Sequence, residues 1–243
     1  CFDQIFNQAE KMRYMFGGQT NVPMVLRMAV GAGLRAGGQH SDTLYGLFAQ
    51  IPGLKVVVPS TPADAKGLLL AAIADDNPVV FLEHMSLYRT TGPLPAEPYE
   101  LPIGRAAIIR AGDDVTLIAA GSTVSLALQA AEQLEDMEGI SAEVIDLRTI
   151  SPLDVETLTV SVARTGRAVV IDESPPRCGI ASEVAAVVTE AVFDRLQSPI
   201  ARVTAANSPV PFSPPLEDAY LPSVDDVVRA AMRMGSPRSE AAQ

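Results

Sequence analysis

Short apolar runs alternate with segments of helical periodicity along most of the chain, and this alternation constrains the fold more than any other feature. The apolar runs lie at 23–30, 54–58, 79–82, 104–110, 115–119, 142–146, 167–171 and 200–204. The helical segments lie at 2–16, 42–50, 61–74, 123–136, 153–164 and 180–196. Because parallel strands need a long crossover connection, usually a helix, this order predicts an α/β fold with parallel sheets.

A proline-rich stretch divides the pattern into two units. Four prolines lie close together in it, at Pro93, Pro95, Pro98 and Pro102. Proline lacks a backbone donor and restricts the residue before it, so regular structure is disfavoured there. We therefore expect one α/β unit at 1–92, a linker at 93–103, a second unit at 104–235 and a disordered tail at 236–243.

Charge and composition exclude several classes of function. Lys and Arg number 18 and Asp and Glu 29, which gives a net charge of −11, whereas nucleic acids and acidic membranes attract basic surfaces. No apolar run is long enough for a transmembrane helix. The two cysteines, Cys1 and Cys178, are too few for a disulfide framework. We expect a cytoplasmic protein that binds neither nucleic acid nor membranes.

A glycine-rich loop after the first strand carries the first candidate for chemistry. Residues 31–36 match the dinucleotide fingerprint G-x-G-x-x-G/A, but that motif must open a helix, and Gly37-Gly38 follows instead. The loop is therefore better explained by a close approach of its backbone to another group. His40 follows it and is a candidate acid or base, with a loop histidine bonded to backbone as the alternative. For His84, after a later strand, a structural role is favoured.

Polar residues at element ends are the remaining candidates. Residues 75–78 (Asp-Asp-Asn-Pro) end a helix, where they either terminate it or offer carbonyl oxygens to a cation. Asp172-Glu173 ends one strand, and Asp146 with Arg148 flanks the end of another. Because ligands gather at the carboxyl ends of parallel strands, these charges face a ligand, a subunit interface or solvent. Cys178, before a helix, is interpreted as a small helix-entry residue.

Many short motifs in one order carry a resemblance to a known family. They are Phe2-Asp3-Gln4-Ile5, Lys11 to Gly18, Gly38-Gln39-His40-Ser41, Ile51 to Val57, Pro59-Ser60-Thr61-Pro62, Asp64 to Leu69, Asp75-Asp76-Asn77-Pro78, Glu143 to Thr149 and Leu221-Pro222-Ser223. In this order they resemble the β subunit of the thiamine-diphosphate-dependent decarboxylase component of 2-oxoacid dehydrogenase complexes. The resemblance extends from Cys1 to about Met234.

The resemblance implies a fold, partners and a cofactor. The first unit would be the later part of a pyrimidine-binding domain and the second a transketolase C-terminal domain. The family forms α2β2 heterotetramers with thiamine diphosphate and Mg²⁺ shared between α and β subunits, and passes acyl units to a lipoyl acyltransferase core. The chain opens at Cys1 inside a helical pattern, so we interpret it as part of a larger polypeptide. The family's cofactor-activating glutamate then lies upstream, and no cofactor-binding residue is assigned here.

Two sites carry over from the family residue by residue. The histidine that matches His40 lines the active-site channel and assists the 2-oxo acid and the incoming lipoyl group. A monovalent cation site, usually for K⁺, matches Met24, Ala72, Ile73, Asp75 and Asn77. Oxygen ligands suit such a hard ion.

The substrate and two rival assignments stay open. The implied reaction cleaves a 2-oxo acid, but residues 35–38 and 175–178 look more like the acetoin-cleaving members, and acetoin is slightly favoured. A transketolase or deoxyxylulose-phosphate synthase relative is the alternative among enzymes. A non-catalytic docking module of such a complex is the alternative outside them.

Overall fold

A computed structural model describes residues 1–234 of the chain. The disordered tail expected at 236–243 lies outside the described residues. Two sheets form the framework, with the strand orders β1-β3-β2-β7 and β4-β6-β5-β8-β9. No helix within residues 1–234 is long and apolar enough to cross a membrane.

The first sheet is parallel in its three strands from the first unit. These are β1 (Val25–Val30), β2 (Lys55–Val57) and β3 (Val79–His84), with β3 between the other two. A π-helical turn (Gln4–Ala9) continues into α1 (Glu10–Met15) before β1; α2 (Tyr45–Ala49) precedes β2, and α3 (Pro62–Ala74) connects β2 to β3. The predicted parallel α/β arrangement is thus confirmed for this unit.

The second sheet has four parallel strands and one antiparallel edge strand. Its members are β4 (Ala107–Arg110), β5 (Val115–Ala119), β6 (Ala142–Asp146), β8 (Ala168–Asp172) and β9 (Ala201–Thr204), with β4 antiparallel to β6. The helices of this unit are α4 (Thr123–Glu138), α5 (Val155–Thr165), α6 (Ile180–Val192), α7 (Pro214–Tyr220) and α8 (Val224–Met232). The central strands β5, β6 and β8 are buried along their whole length.

A short strand from the second unit completes the first sheet. β7 (Thr149–Ser151) pairs antiparallel with β2 through Val56 and Val57. The sequence pattern does not predict this strand, because three residues are too few to show a periodicity. The sequence pattern does not predict α7 (Pro214–Tyr220) either. The helix expected at 180–196 ends at Val192, and only a 3₁₀ turn, Phe193–Arg195, follows it.

The helix starts follow the capping chemistry of their sequences. The Thr61 hydroxyl accepts a hydrogen bond from the Asp64 amide at 3.0 Å, and Pro62 occupies the first helical position of α3. Ser223 and Asp226 form a reciprocal capping box at α8. Asp154 caps α5, so that helix begins at Val155 instead of the expected 153. Each cap satisfies amides that have no partner within the helix.

The two units share one hydrophobic core. Leu54, Val56 and Leu82 of the first unit lie in the same buried cluster as Ile145 and Val184 of the second. The linker lies against α3 of the first unit, because Lys66 in that helix donates to the carbonyl oxygens of Pro95, Ala96 and Glu97. The expected division at the prolines therefore separates two stretches of sequence whose side chains are packed together.

Candidate functional site

The glycine loop after β1 lies against the second unit and against the end of β3. Gly31 has φ +97°, and a Cβ atom at this position would overlap the His84 imidazole. Only glycine adopts such a conformation without strain and leaves this space free. The close backbone approach that the glycines predict is thus an approach to His84.

Glu173 of the second unit reaches across to this loop and to His84. It is buried, and its carboxylate accepts hydrogen bonds from the Ala32 amide at 2.6 Å, His84 Nε2 at 2.7 Å and Ser122 Oγ at 2.8 Å. Burial alone would raise the pKa of Glu173, but the hydrogen bonds, chiefly that from His84, hold it below its usual value. Three interpretations were open for this strand end, and the solvent-facing one is wrong, since Asp172 and Glu173 are both buried. Asp172 accepts from the Ser174 and Ala181 amides of its own unit, whereas Glu173 bonds the first unit.

A second buried carboxylate, Glu217 in α7, holds the middle of the same loop. It accepts hydrogen bonds from the Gly33 amide at 2.9 Å, the Arg35 amide at 3.1 Å and Arg35 Nη1 at 2.7 Å. Its side chain is 0% exposed, and Arg35 has φ +59°. The amides that a dinucleotide fingerprint would aim at phosphate are therefore bonded to carboxylates of the chain itself, which disfavours nucleotide binding here.

His40 is exposed at the end of the loop. Its amide donates to the Gly37 carbonyl at 3.2 Å, and the next residue, Ser41, is buried at 1% exposure. Within residues 1–234 the His40 imidazole makes no hydrogen bond, and the Ser41 hydroxyl has no partner. The chain is therefore buried at Ser41, while the imidazole of the preceding residue, His40, is exposed.

The five cation candidates lie together at the opposite end of the first sheet. Met24 precedes β1 and its carbonyl accepts from the Val79 amide at 2.9 Å, while Ala72 and Ile73 end α3. The Asp75 carboxylate bonds Lys55 and also the Asn77 amide at 2.9 Å. Burial acts to raise the pKa of Asp75, but Lys55 and Asn77 hold it below its usual value. The six-residue strand β1 separates this group from the His40 loop by roughly 20 Å.

Two further carboxylates form a polar cluster where the units meet. Asp146, at the end of β6, is 1% exposed, bonds the Ser60 hydroxyl and accepts from the Arg148 amide at 2.9 Å. The Arg148 side chain pairs with Asp64 at 2.7 Å. Burial raises the pKa of Asp146 to about 6, against the opposing effect of its hydrogen bonds. The sequence predicts Asp146 and Arg148 at a strand end, and in the structure they also bond Ser60 and Asp64 of the first unit.

Clefts border both sides of the contact between units. One of about 280 Å³ is lined by the His84–Glu173 pair, Ser122 and Gln129. A wider one of about 800 Å³ runs between α2 and residues 174–183, where Cys178 is exposed with φ +55°. Across the part of the chain that the structure describes, no three His, Cys, Asp or Glu side chains form a group that could hold a metal ion.

Known families and proteins match both units in order. Residues 1–91 match the transketolase pyrimidine binding domain, and residues 104–227 match the transketolase C-terminal domain. The β subunit of acetoin:2,6-dichlorophenolindophenol oxidoreductase from Bacillus subtilis (strain 168) is 53% identical over 98% of this chain and 69% of its own length. The chain belongs to this family of transketolase-type oxidoreductase β subunits.

Other members of the β-subunit family and one solved structure agree with the assignment. The pyruvate dehydrogenase E1 component subunit beta of Bacillus subtilis (strain 168) is 45% identical over 96% of this chain and 71% of its own length. A structure described as a split gene transketolase, an inactive beta4 tetramer, is 25% identical, with a TM-score of 0.74 over 96% of this chain and 70% of its own. The two-unit α/β fold expected from the sequence is thus confirmed.

Sequence reasoning missed Glu217, the residue that holds most of the loop in this β-subunit chain. The motif Pro214-Pro215-Leu216-Glu217 has the proline of a helix start, which could have revealed α7. Nothing in the pattern indicates that the carboxylate is buried, because its partners lie 182 to 184 residues away in sequence.

Proposed function

We propose that this chain is the β subunit of a thiamine-diphosphate-dependent enzyme that cleaves acetoin and passes the acetyl unit to a lipoyl group. One observation carries the choice of acetoin: identity is 53% to the B. subtilis acetoin oxidoreductase subunit and 45% to the pyruvate dehydrogenase subunit of the same organism. A Cupriavidus necator acetoin oxidoreductase subunit is also 53% identical, over 96% of this chain.

Thiamine diphosphate with Mg²⁺ is proposed to be shared with an α subunit. When bound, it supplies the stabilisation of the carbanion that acetoin cleavage needs. The described residues do not fit the magnesium diphosphate, because the loop amides of Ala32, Gly33 and Arg35 are bonded to Glu173 and Glu217. We therefore assign the diphosphate and its metal to the α subunit.

His40 is proposed as the group that gives a proton to the lipoyl sulfur released when the S–S bond of the lipoyl group breaks and its other sulfur takes the acyl unit. Its exposure at the end of a backbone-bonded loop supports this role, since a proton donor must reach its substrate from a fixed position. We expect His40→Ala in the holoenzyme to lower lipoyl acetylation at least about tenfold, in line with general acid–base contributions. Unchanged acetylation would remove His40 from the mechanism.

The partners are proposed to be the α subunit, in an α2β2 heterotetramer, and a lipoyl acyltransferase core. Large apolar side chains are exposed beside the His40 loop: Leu34 is 52%, Phe212 72% and Leu216 60% exposed. Apolar side chains gathered around a catalytic loop favour a protein contact there. They support an α subunit that closes the active site over His40.

We propose that K⁺ binds to carbonyl oxygens at the end of α3, among Met24, Ala72, Ile73, Asp75 and Asn77. The pairing of Lys55 with Asp75 supports a monovalent ion, because that carboxylate is already neutralised. The remaining ligands are uncharged oxygens, which suit a weakly charged hard cation.

The test uses the full-length parent chain with its α partner, thiamine diphosphate, Mg²⁺ and a lipoyl domain. Lipoyl acylation is recorded with acetoin, pyruvate and branched 2-oxo acids in parallel. Acylation with acetoin at the highest kcat/KM is expected. Preference for pyruvate would favour the second candidate, a 2-oxo acid dehydrogenase, which the 45% identity to the pyruvate dehydrogenase subunit supports. A well-formed heterotetramer that acylates with none of them would favour a docking module.

A further inference from the structure

We propose that Glu217 is a positioning residue that sets the conformation of the His40 loop and thereby the rate of lipoyl acylation. The inference rests on the proposed function of His40. It extends the catalytic machinery from the first unit, which carries the imidazole, to α7 of the second unit, which holds the loop.

The contacts of Glu217 hold two backbone amides of the loop, those of Gly33 and Arg35. One carboxylate oxygen accepts from the Gly33 amide at 2.9 Å, and the other accepts from the Arg35 amide at 3.1 Å. Arg35 Nη1 adds a charged contact at 2.7 Å to the second oxygen. The carboxylate is fully buried, so losing any of these three donors would leave it with an unsatisfied acceptor, which costs more than at the surface.

The rest of the loop follows the same segment of the second unit as far as His40. A Cβ on Gly37 would lie 3.2 Å from Phe212, and one on Gly38 would lie 3.4 Å from the Val210 carbonyl oxygen. The Gly37 carbonyl then accepts from the His40 amide. Val210 and Phe212 belong to the segment that leads into α7, so the loop is packed along one continuous stretch of the second unit from Gly33 to Gly38. A change at Glu217 would therefore move the backbone that carries His40.

Glu217→Gln is the decisive variant, because it keeps the size of the side chain. Its amide oxygen can still accept a backbone hydrogen bond, but its NH₂ group faces a second donor, and Arg35 keeps Asp218 as its one charged partner among those described. Asp218→Asn is the matched control: Asp218 bonds the other nitrogen of Arg35 at 2.6 Å, is 64% exposed and forms no bond to the loop backbone among the described contacts.

Two assays on the holoenzyme separate positioning from stability: acetyl transfer to a lipoyl domain, and acetoin-dependent reduction of 2,6-dichlorophenolindophenol, which bypasses the lipoyl group. We expect Glu217→Gln to lower the kcat of lipoyl transfer by a factor at least about ten times larger than the factor by which it lowers the kcat of dye reduction. Small misplacements of catalytic groups cost this much. The assay ratio is the kcat of lipoyl transfer divided by the kcat of dye reduction, and it should fall in His40→Ala as it does in Glu217→Gln. The double variant should have the same assay ratio as His40→Ala. Asp218→Asn should leave the ratio unchanged.

The outcomes distinguish this inference from the function on which it rests. If His40→Ala leaves the ratio unchanged, the proposed role of His40 fails and the positioning role with it. If His40→Ala changes the ratio and Glu217→Gln does not, only the positioning role fails. Equal losses in both assays with a lower Tm would show that Glu217 only stabilises the fold, which also overturns the inference.

A second variant covers the case in which Glu217→Gln does not fold. Arg35→Ala removes the guanidinium with its bonds to Glu217, Asp218 and the Pro214 carbonyl, so the two backbone amides become the remaining donors to the buried Glu217 carboxylate. In the holoenzyme this variant should speed the hydrogen exchange of the backbone amides at positions 33 and 35. It should also lower the assay ratio, as Glu217→Gln does. Unchanged exchange together with an unchanged ratio would contradict the inference.

Discussion

Two buried carboxylates in this chain, Glu173 and Asp146, differ in their pKa because they differ in their donors. Glu173 collects bonds from His84, Ser122 and a backbone amide, which outweigh burial and lower its pKa. Asp146 has fewer donors and a neighbouring carboxylate, Asp64, so burial prevails and its pKa rises to about 6. The number of donors that reach each carboxyl group therefore decides whether its pKa rises or falls on burial.

Asp146 should make the free energy of unfolding depend on pH. An acid with a higher pKa in the folded state binds more protons there, so stability is greatest below the unfolded pKa and falls as pH rises from about 4 to about 6. The Asp146→Asn variant removes this fall, so its stability relative to the parent should rise by about 2 kcal/mol between pH 4 and pH 7. Denaturant unfolding at both pH values measures it. Asp225→Asn, at an exposed helix position, is the control, and equal pH dependence in all three chains would contradict the prediction.

Gly31→Ala should destabilise the chain more than Gly18→Ala. Both glycines have positive φ, +97° and +82°, but only at Gly31 would the new Cβ overlap the His84 imidazole, whereas nothing lies within 4 Å at Gly18. Strain alone costs about 1 kcal/mol in both variants, and overlap adds about 1–3 kcal/mol at Gly31. Thermal or denaturant unfolding compares them. Equal losses would mean that the close approach to His84 is unimportant.

The elements show how far local sequence determines this fold. β5, β6 and β8 are continuous apolar runs, and α3 lies within the helical segment expected at 61–74, so the pattern predicts them. β7 is different, because its three residues become a strand only by pairing with β2, about ninety positions earlier. The same limit applies to the site: the loop and His40 are visible in sequence, but the partners of the loop are not, since His84 and Glu173 are 89 residues apart.

K⁺ bound at the end of α3 should stabilise the folded chain. We expect KCl to raise Tm by a few degrees over tetramethylammonium chloride at equal ionic strength, because a ligand that binds only the folded state stabilises it. Asn77→Ala should abolish this difference, whereas Asp76→Ala, at an exposed neighbouring side chain, should retain it. The same Tm in both salts for the parent chain would contradict the potassium site.

At the scale of the whole molecule, the shared core predicts one cooperative unfolding transition. Side chains such as Leu82 and Ile145 pack in a single cluster drawn from both units, so neither unit can unfold without exposing the apolar surface of the other. Calorimetric and van't Hoff enthalpies should therefore agree. Two separated transitions, or a unit that retains its circular dichroism after the other has melted, would contradict this prediction.

The pairing of β7 with β2 has a consequence for exchanging parts between relatives. A chimera joined within the proline linker would bring a foreign edge strand to the native Val56 and Val57, together with the foreign second unit. Glu173 and Glu217, which hold the glycine loop, would also come from the donor chain. The prolines therefore do not mark a segment that can be exchanged by itself. In a functional chimera, the foreign second unit must fit the native first sheet through β7 and the native glycine loop through Glu173 and Glu217.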